Sequence, residues 1–195
     1  CFEYKGTQYE VSLMGIHQIQ NSILAIDTVN ALVQAGKTKV SQTDIKLGLK
    51  NAKWQGRLEK IQDNPTVIID GAHNEGAAIV LAKTMEQAFP NKRIILLVGM
   101  FGDKDYNSVL RNILPLSRDV ITVTTHTERA LNSTDLAKAV IETYKELGLE
   151  SYHVYDEDRI TDGINKAIQI ANKDDVILAF GSLSYLRDVK ARFNK

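Results

Sequence analysis

A run of β-prone residues that ends on an aspartate constrains the fold of this chain most strongly. The run is Thr66–Asp70, after which a Gly-Ala pair turns the chain and an Ala-rich helical pattern starts at about Asn74. This order predicts a strand, a tight turn and a helix. Polar residues at such a junction lie above the carboxyl edge of a parallel sheet, where open α/β sheets bind ligands. A helix N-terminus there also suits an anion. Asp70, His73 and Asn74 are therefore the first candidate functional residues.

The same three residues also have an ordinary structural interpretation. Asp70 is a common type of turn residue at a strand end, Asn74 is a good helix N-cap, and His73 is then only a polar neighbour. The local pattern does not decide between the two interpretations. The decision depends on other polar groups in the chain.

Strands and helices alternate from about residue 58 to the end of the chain. The strand from Arg93 to Gly99 is almost wholly apolar, which is typical of a sheet covered on both faces. The sequence therefore predicts a doubly wound α/β domain with a mostly parallel sheet. We expect strands at 58–62, 66–70, 93–99, 120–124, 151–155 and 175–180, and helices at 74–89, 105–114, 132–147, 158–171 and 183–193.

The first part of the chain has a different pattern. Residues Phe2 to Leu13 indicate two strands around Lys5-Gly6-Thr7, and two helices follow, from Ile16 to Gly36 and from Ser41 or Thr43 to Ala52. Two short strands are not stable alone, so we expect the rest of their sheet upstream. The chain also begins inside a predicted strand, at a cysteine. We therefore expect it to be a fragment of a longer protein.

Composition and charge exclude several classes of function. The 195 residues carry 24 basic and 24 acidic side chains, and the zero net charge argues against non-specific binding to nucleic acid or to a membrane surface. The single cysteine, Cys1, allows no intramolecular disulfide, which fits a cytoplasmic protein. We see no signal peptide and no apolar run of the roughly 18 to 20 residues that a membrane span needs.

Common catalytic motifs are also missing. The glycine pattern of dinucleotide-binding proteins, the P-loop and the serine elbow do not occur, and the four histidines lack metal-ligand spacing. The polar residues that remain lie at transitions between elements. They are His17 and Asn21 on one helix face, Arg57 in a turn, and Asp70 with His73 at a strand end.

Four motifs in the same order resemble folylpolyglutamate synthase / dihydrofolate synthase of the Mur ligase superfamily. They are Gly15-x-His17-Gln18-x-x-Asn21-x-x-x-Ala25, Trp54-x-Gly56-Arg57-Leu58-Glu59, Asp70-Gly71-Ala72-His73-Asn74, and Gly99-Met100-Phe101-Gly102-Asp103-Lys104-Asp105. The resemblance implies an ATP-dependent ligase that joins L-glutamate to folate or dihydropteroate through an acyl phosphate. ATP and Mg²⁺ are the implied cofactors.

The resemblance also implies a domain organisation. Residues 1–56 would be the C-terminal end of an ATPase domain, and residues 57–195 a Rossmann-like, glutamate ligase domain. The P-loop and the metal ligands would lie in a missing N-terminal part, so we expect the fragment alone to be inactive and expect no metal ligand in it.

Roles for individual residues follow from the resemblance. Asn21 would bind adenine, Arg57 the phosphates and Asp70 the ribose, with Arg57 and His73 as the catalytic residues. A guanidinium fork suits a phosphate and a carboxylate suits a diol. His73 would lie near both the nucleotide and the incoming amino acid.

Two further residues are candidates for binding glutamate. Lys104 would bind its α-carboxylate, and Ser182 matches a Gly-Ser of the amino-acid pocket. The pattern departs after Leu183, where Ser184 precedes Tyr185, so the role of the tyrosine stays open. A solvated lysine in a turn is an equally good interpretation of Lys104.

Two alternative functions remain open. One is another Mur-type amino-acid ligase, which builds cell-wall peptide. The other is a non-catalytic nucleotide-binding α/β module, because a fold alone does not determine a function.

Overall fold

The computed structural model describes residues 1–193, and the chain divides into two compact units, Cys1–Gln55 and Gly56–Lys195. The predicted second domain extends to residue 195, and its last two positions lie outside the described residues. Among residues 1–193, no helix combines the length and the apolar character that crossing a membrane requires.

The first unit contains a β-hairpin and two helices. Strands β1 (Phe2–Tyr4) and β2 (Thr7–Tyr9) pair antiparallel, and helices α1 (His17–Gln34) and α2 (Gln42–Asn51) follow. Strand β2 is shorter than predicted. Ser41 is the N-cap of α2: its side chain accepts a hydrogen bond from the Asp44 N–H, and the Asp44 carboxylate accepts one from the Ser41 N–H. This reciprocal pair is a capping box.

The core of the first unit is small. Its buried apolar residues are Tyr9, Ile26 and Ile45. By contrast, Ile16 before α1, Leu24 on α1 and Leu47 on α2 are 60%, 69% and 51% exposed. The unit thus leaves much of its apolar surface uncovered.

The second unit alternates strands and helices. Its strands are β3 (Glu59–Asp63), β4 (Thr66–Asp70), β5 (Ile94–Val98), β6 (Ser117–Val123), β7 (His153–Glu157) and β8 (Val176–Phe180). Its helices are α3 (Glu75–Ala88), α4 (Tyr106–Ile113), α5 (Ser133–Glu146), α6 (Ile160–Ile170) and α7 (Leu183–Phe193), and a 3₁₀ turn at Leu114–Leu116 leads into β6.

These strands form one sheet in the order β3-β4-β8-β5-β6-β7. Only the β3–β4 pair is antiparallel. Helices α3, α4 and α5 pack beside one another, whereas α6 and α7 form a separate pair. Alternate strand residues such as Val67, Leu97 and Ala179 form a buried cluster with α6 and α7. The predicted doubly wound, mostly parallel α/β fold is confirmed.

Several predicted boundaries differ from the structure because polar residues take part in strands. Strand β6 begins at Ser117 rather than Val120, since the Ser117 hydroxyl bonds the Ile94 carbonyl and Asp119 accepts from Arg93. Strand β7 lies two residues later than predicted. Asp158 does not cap α6; its carboxylate accepts a hydrogen bond from Thr124 instead.

Candidate functional site

Asp70 ends β4 and is almost completely buried, with 6% exposure. Its Oδ2 accepts a hydrogen bond from the Leu58 N–H at 2.8 Å, and its Oδ1 accepts one from the Ala72 N–H at 2.8 Å. The carboxylate therefore ties the turn before β3 to the turn after β4. The position of Asp70 at the strand end was predicted from the sequence, whereas its hydrogen bonds to both turns were not.

Arg57 lies in a turn in which both neighbours have left-handed backbone conformations. Gly56 has φ of 67° and Leu58 has φ of 44°. A left-handed conformation is unfavourable for leucine, so the turn needs support from outside. The Gly56 carbonyl accepts from the Gly71 N–H at 2.8 Å, and the Arg57 side chain is exposed. The two turns thus hold each other and present a guanidinium to solvent.

Leu183, the first residue of α7, covers these two turns. A Cβ added to Gly56 would lie 2.8 Å from Leu183 Cδ2, and one added to Gly71 would lie 2.6 Å from the same atom. Such distances are shorter than van der Waals contact allows. A side chain at either position would therefore displace Leu183, which is 56% exposed, and the positive φ at Gly56 is a further reason for glycine there.

His73 follows the Asp70 turn and is half-buried. Its Nδ1 lies 2.9 Å from the Gly71 carbonyl oxygen. Because a carbonyl oxygen only accepts, we assign the proton of this bond to Nδ1. In the neutral ring Nε2 is then a hydrogen-bond acceptor, which suits a ligand that donates an N–H.

Asn74 caps the helix that follows. Its Oδ1 accepts from the Ala77 N–H at 3.0 Å, and Glu75 adds a carboxylate in the first turn of α3. Both features stabilise the helix N-terminus from within the chain. The structure therefore gives Asn74 the capping role that the sequence left open, and the start of α3 is less suited to an anion than its position indicates.

Ser182 and Tyr185 follow β8, and both form hydrogen bonds within the protein. Ser182 is 3% exposed, and its Oγ accepts from the Ser184 N–H in the first turn of α7. The Tyr185 hydroxyl is fully buried, 2.8 Å from the Leu97 carbonyl and 2.7 Å from the Phe180 carbonyl. Burial raises the pKa of this phenol far above its usual value. Tyr185 thus joins the ends of β5 and β8.

Replacing Tyr185 by phenylalanine is expected to destabilise the fold by about 1–2 kcal/mol, because two buried carbonyls lose a hydrogen-bond donor. Urea unfolding of the 195-residue chain measures this change. Tyr152→Phe is the matched control, because Tyr152 is a half-buried tyrosine that is distant from Tyr185 in the sequence. An unchanged unfolding midpoint in Tyr185→Phe would contradict the structural role.

Lys104 lies in the loop between β5 and α4, next to a second cation that the sequence reasoning missed. Its Nζ is 3.9 Å from the Asp103 carboxylate, which also pairs with Arg129 from the loop after β6. The hydrogen bond from Arg129 lowers the pKa of Asp103 below its usual value. Arg129 also lies over the Phe101 ring at 4.8 Å. A polar Thr-Glu-Arg segment at 127–129, shortly after the predicted strand at 120–124, was the available signal.

Four candidate residues of the second unit lie at the ends of three adjacent strands. Asp70 ends β4 and His73 follows it, while Ser182 and Lys104 follow β8 and β5, and these strands are neighbours in the sheet. Arg57 instead lies in the turn before β3. Asn21 belongs to the first unit, on α1, where its Nδ2 donates to Gln18 Oε1 at 3.1 Å.

A cavity of about 330 Å³ lies further along the same sheet edge, at the end of β6 and the start of α6. None of the predicted site residues lines it. Its walls are Thr124, Thr125, His126, Asp158, Arg159, Ile160, Thr161 and Asp188.

Within residues 1–193, no three His, Cys, Asp or Glu side chains are grouped so that they could hold a metal ion.

Comparison with known proteins gives the family. A family model described as Mur ligase, glutamate ligase domain, matches residues 56–183. The dihydrofolate synthase/folylpolyglutamate synthase of Bacillus subtilis (strain 168) is 31% identical over 193 residues, which are 98% of this chain and 42% of that protein. The protein of the same name from Mycobacterium tuberculosis is 33% identical over 133 residues, or 68% of this chain and 27% of that protein.

A solved structure agrees with these sequence matches. Folylpolyglutamate synthase of Mycobacterium tuberculosis, solved in complex with ADP and AMPPCP, matches with a TM-score of 0.82 and 25% identity over 97% of this chain and 42% of that chain. The chain thus spans less than half the length of these relatives. The predicted resemblance is confirmed: this chain belongs to the Mur ligase family, and it is homologous to the folylpolyglutamate and dihydrofolate synthases.

Proposed function

We propose that this chain is the C-terminal part of an ATP-dependent ligase that adds L-glutamate to folate or to dihydropteroate. The match of residues 56–183 to the glutamate ligase domain carries the proposal. The folate-enzyme names of the relatives support the choice of acceptor.

ATP, when bound, would supply the phosphoryl group that converts the acceptor carboxylate into an acyl phosphate, with ADP as the leaving group. The amino group of glutamate then forms the new C–N bond, phosphate leaves with the C–O bonding electrons, and the nitrogen loses a proton. The protein must therefore stabilise phosphoryl charge and hold the amino acid close to the acyl carbon.

Arg57 is our candidate for stabilising the phosphoryl charge. Its guanidinium is always charged and can donate two parallel hydrogen bonds to phosphate oxygens. The exposed position on a turn supported from both sides gives the long side chain a fixed base and freedom to reach a ligand.

His73 is our second catalytic candidate. With Nδ1 donating to Gly71, the neutral ring offers Nε2 as an acceptor for an N–H of the incoming amino group. This arrangement would orient the nucleophile and receive its proton. Binding of the nearby nucleotide remains a second proposed task for the same ring.

Lys104 and Ser182 are the candidates for the carboxylates and polar atoms of glutamate. Lys104 is partly exposed, and a lysine ammonium can act as a mobile point charge toward a carboxylate. The Ser182 hydroxyl already contacts Ser184, so a ligand would share this group with the start of α7.

Asp70 and Asn21 are the remaining candidates for binding the nucleotide. Asp70 is the candidate for the ribose hydroxyls, because a carboxylate accepts hydrogen bonds from a diol. Asn21 lies exposed on α1 and offers an amide, which can both donate to and accept from adenine.

We also propose that an N-terminal part of the longer protein supplies the P-loop and the Mg²⁺ ligands. The exposed apolar residues Leu24 and Leu47 of the first unit support this, because large apolar side chains left in water often mark a surface that another part covers. The first unit would then be the end of an ATPase domain. A cytoplasmic location remains a prediction.

The test compares the longer protein with the 195-residue chain. With ATP, Mg²⁺, L-glutamate and dihydropteroate or dihydrofolate, the longer protein is expected to form ADP, whereas the chain alone is expected to form none. A coupled ADP assay measures both. ADP formation by the isolated chain would contradict the proposed division of labour.

The alternatives predict other outcomes in the same assay. A cell-wall ligase would form ADP only with a cell-wall peptide precursor as acceptor. A non-catalytic module would form none with any acceptor, in either length of protein.

A further inference from the structure

Glu59 joins the Arg57 turn to the last helix. Its Oε2 accepts a hydrogen bond from the Gly56 N–H at 2.9 Å, and its Oε1 pairs with Nζ of Lys190 on α7. The two side chains are separated by 131 positions in the sequence, and they are only 23% and 29% exposed. This ion pair is therefore a long-range contact that is largely shielded from solvent.

The pair acts on one end of the left-handed turn, and Asp70 acts on the other. Glu59 binds the N–H of Gly56, which precedes Arg57, while Asp70 binds the N–H of Leu58, which follows it. Since Leu58 occupies an unfavourable region of backbone space, the turn depends on these two carboxylates for its conformation. Arg57 is thus bracketed by two acid-to-backbone hydrogen bonds.

Lys190 determines how Glu59 uses its two oxygens. A glutamate side chain has several rotamers, and the cation on α7 holds one oxygen so that the other faces the Gly56 N–H. The same helix carries Leu183 at its start, against Gly56 and Gly71. Helix α7 therefore supports the turn in two ways. Leu183 packs against the turn itself, and Lys190 pairs with Glu59, which binds the turn.

We propose that Glu59 and Lys190 form a positioning pair that orients Arg57 for phosphoryl transfer. The inference rests on the proposed function, since it concerns how Arg57 is held for that reaction. Neither residue needs to touch a substrate. Their effect on the reaction passes through the geometry of the Gly56–Leu58 turn.

The test uses the longer ligase with Lys190→Met, Lys190→Arg and Glu59→Gln. Lys190→Met and Glu59→Gln are expected to lower kcat by roughly 10- to 100-fold, as a small misplacement of a catalytic group does, with KM for glutamate unchanged. Lys190→Arg keeps the charge and is expected to retain most of the activity. The control is Lys60→Met, which removes an exposed pair with Asp63 on the same strand and is expected to leave kcat unchanged.

A second set of variants separates positioning from general stability. In an Arg57→Ala background, Lys190→Met is expected to cause no further loss of kcat, because its effect acts through Arg57. An equal loss in both backgrounds, or an unchanged kcat in Lys190→Met, would overturn the inference. If Lys190→Met does not fold, Glu59→Gln gives the same comparison. A wild-type ligase that forms no ADP would instead refute the proposed function itself.

Discussion

Replacing Arg57 by alanine in the longer ligase is expected to lower kcat by roughly 10²- to 10³-fold, the usual cost of removing one group that stabilises transition-state charge. The guanidinium is exposed on a turn whose backbone takes part in three hydrogen bonds, two of them to carboxylate side chains. Its loss should therefore remove a charge without disturbing the fold. Steady-state ADP formation at saturating substrates measures the effect.

Two controls show whether the lower kcat comes from the missing guanidinium or from a less stable fold. Arg57→Lys keeps the charge but not the planar fork, and we expect an intermediate kcat. Urea unfolding of Arg57→Ala should match that of the wild type. A full kcat in Arg57→Ala would show that this arginine is an ordinary surface residue in a turn.

Replacing Asp70 by alanine is expected to destabilise the second unit by about 2–6 kcal/mol, because two backbone N–H groups lose their acceptor in a buried place, at about 1–3 kcal/mol each. One of these groups belongs to Leu58, whose left-handed backbone then lacks its support. The unfolding midpoint in urea gives the measurement. Asp63→Ala, at an exposed carboxylate on the same hairpin, is the matched control.

A conservative variant tests the structural role of Asp70 in a graded way. Asp70→Asn keeps the shape but has one acceptor oxygen, so it can satisfy only one of the two N–H groups. We expect a smaller loss of stability than in Asp70→Ala. An Asp70→Ala chain as stable as the wild type would contradict the bridging contacts.

The order of strands and helices in the second unit follows from local patterns. Short apolar runs such as Ile94–Val98 are typical of buried strands, and the helices at 74–89 and 132–147 begin close to their predicted positions, with Asn74 and Asn132 as N-caps. Boundaries were harder to predict where a polar residue has a distant partner. Asp119 lies inside β6 because Arg93, directly before the neighbouring strand β5, neutralises it.

The site was predictable only in part, for the same reason. The positions of Asp70, His73 and Ser182 at strand ends follow from the alternation of elements. The contacts of Glu59 with Lys190, and of Asp103 with Arg129, join segments far apart in the sequence, and no local pattern indicates them. Tyr185 is similar: its place after a Gly-Ser pair resembled a pocket residue, whereas its hydroxyl lies between two strand carbonyls.

The proposed reaction of the longer protein joins glutamate to a folate-type acid. Mass spectrometry of the acceptor after incubation with ATP, Mg²⁺ and isotopically labelled L-glutamate tests it most directly. We predict that dihydropteroate or dihydrofolate gains one labelled glutamyl group for each ADP formed, and that Arg57→Ala suppresses both products together. ADP formation without labelled folate, or labelling of a cell-wall peptide precursor instead, would contradict the claim.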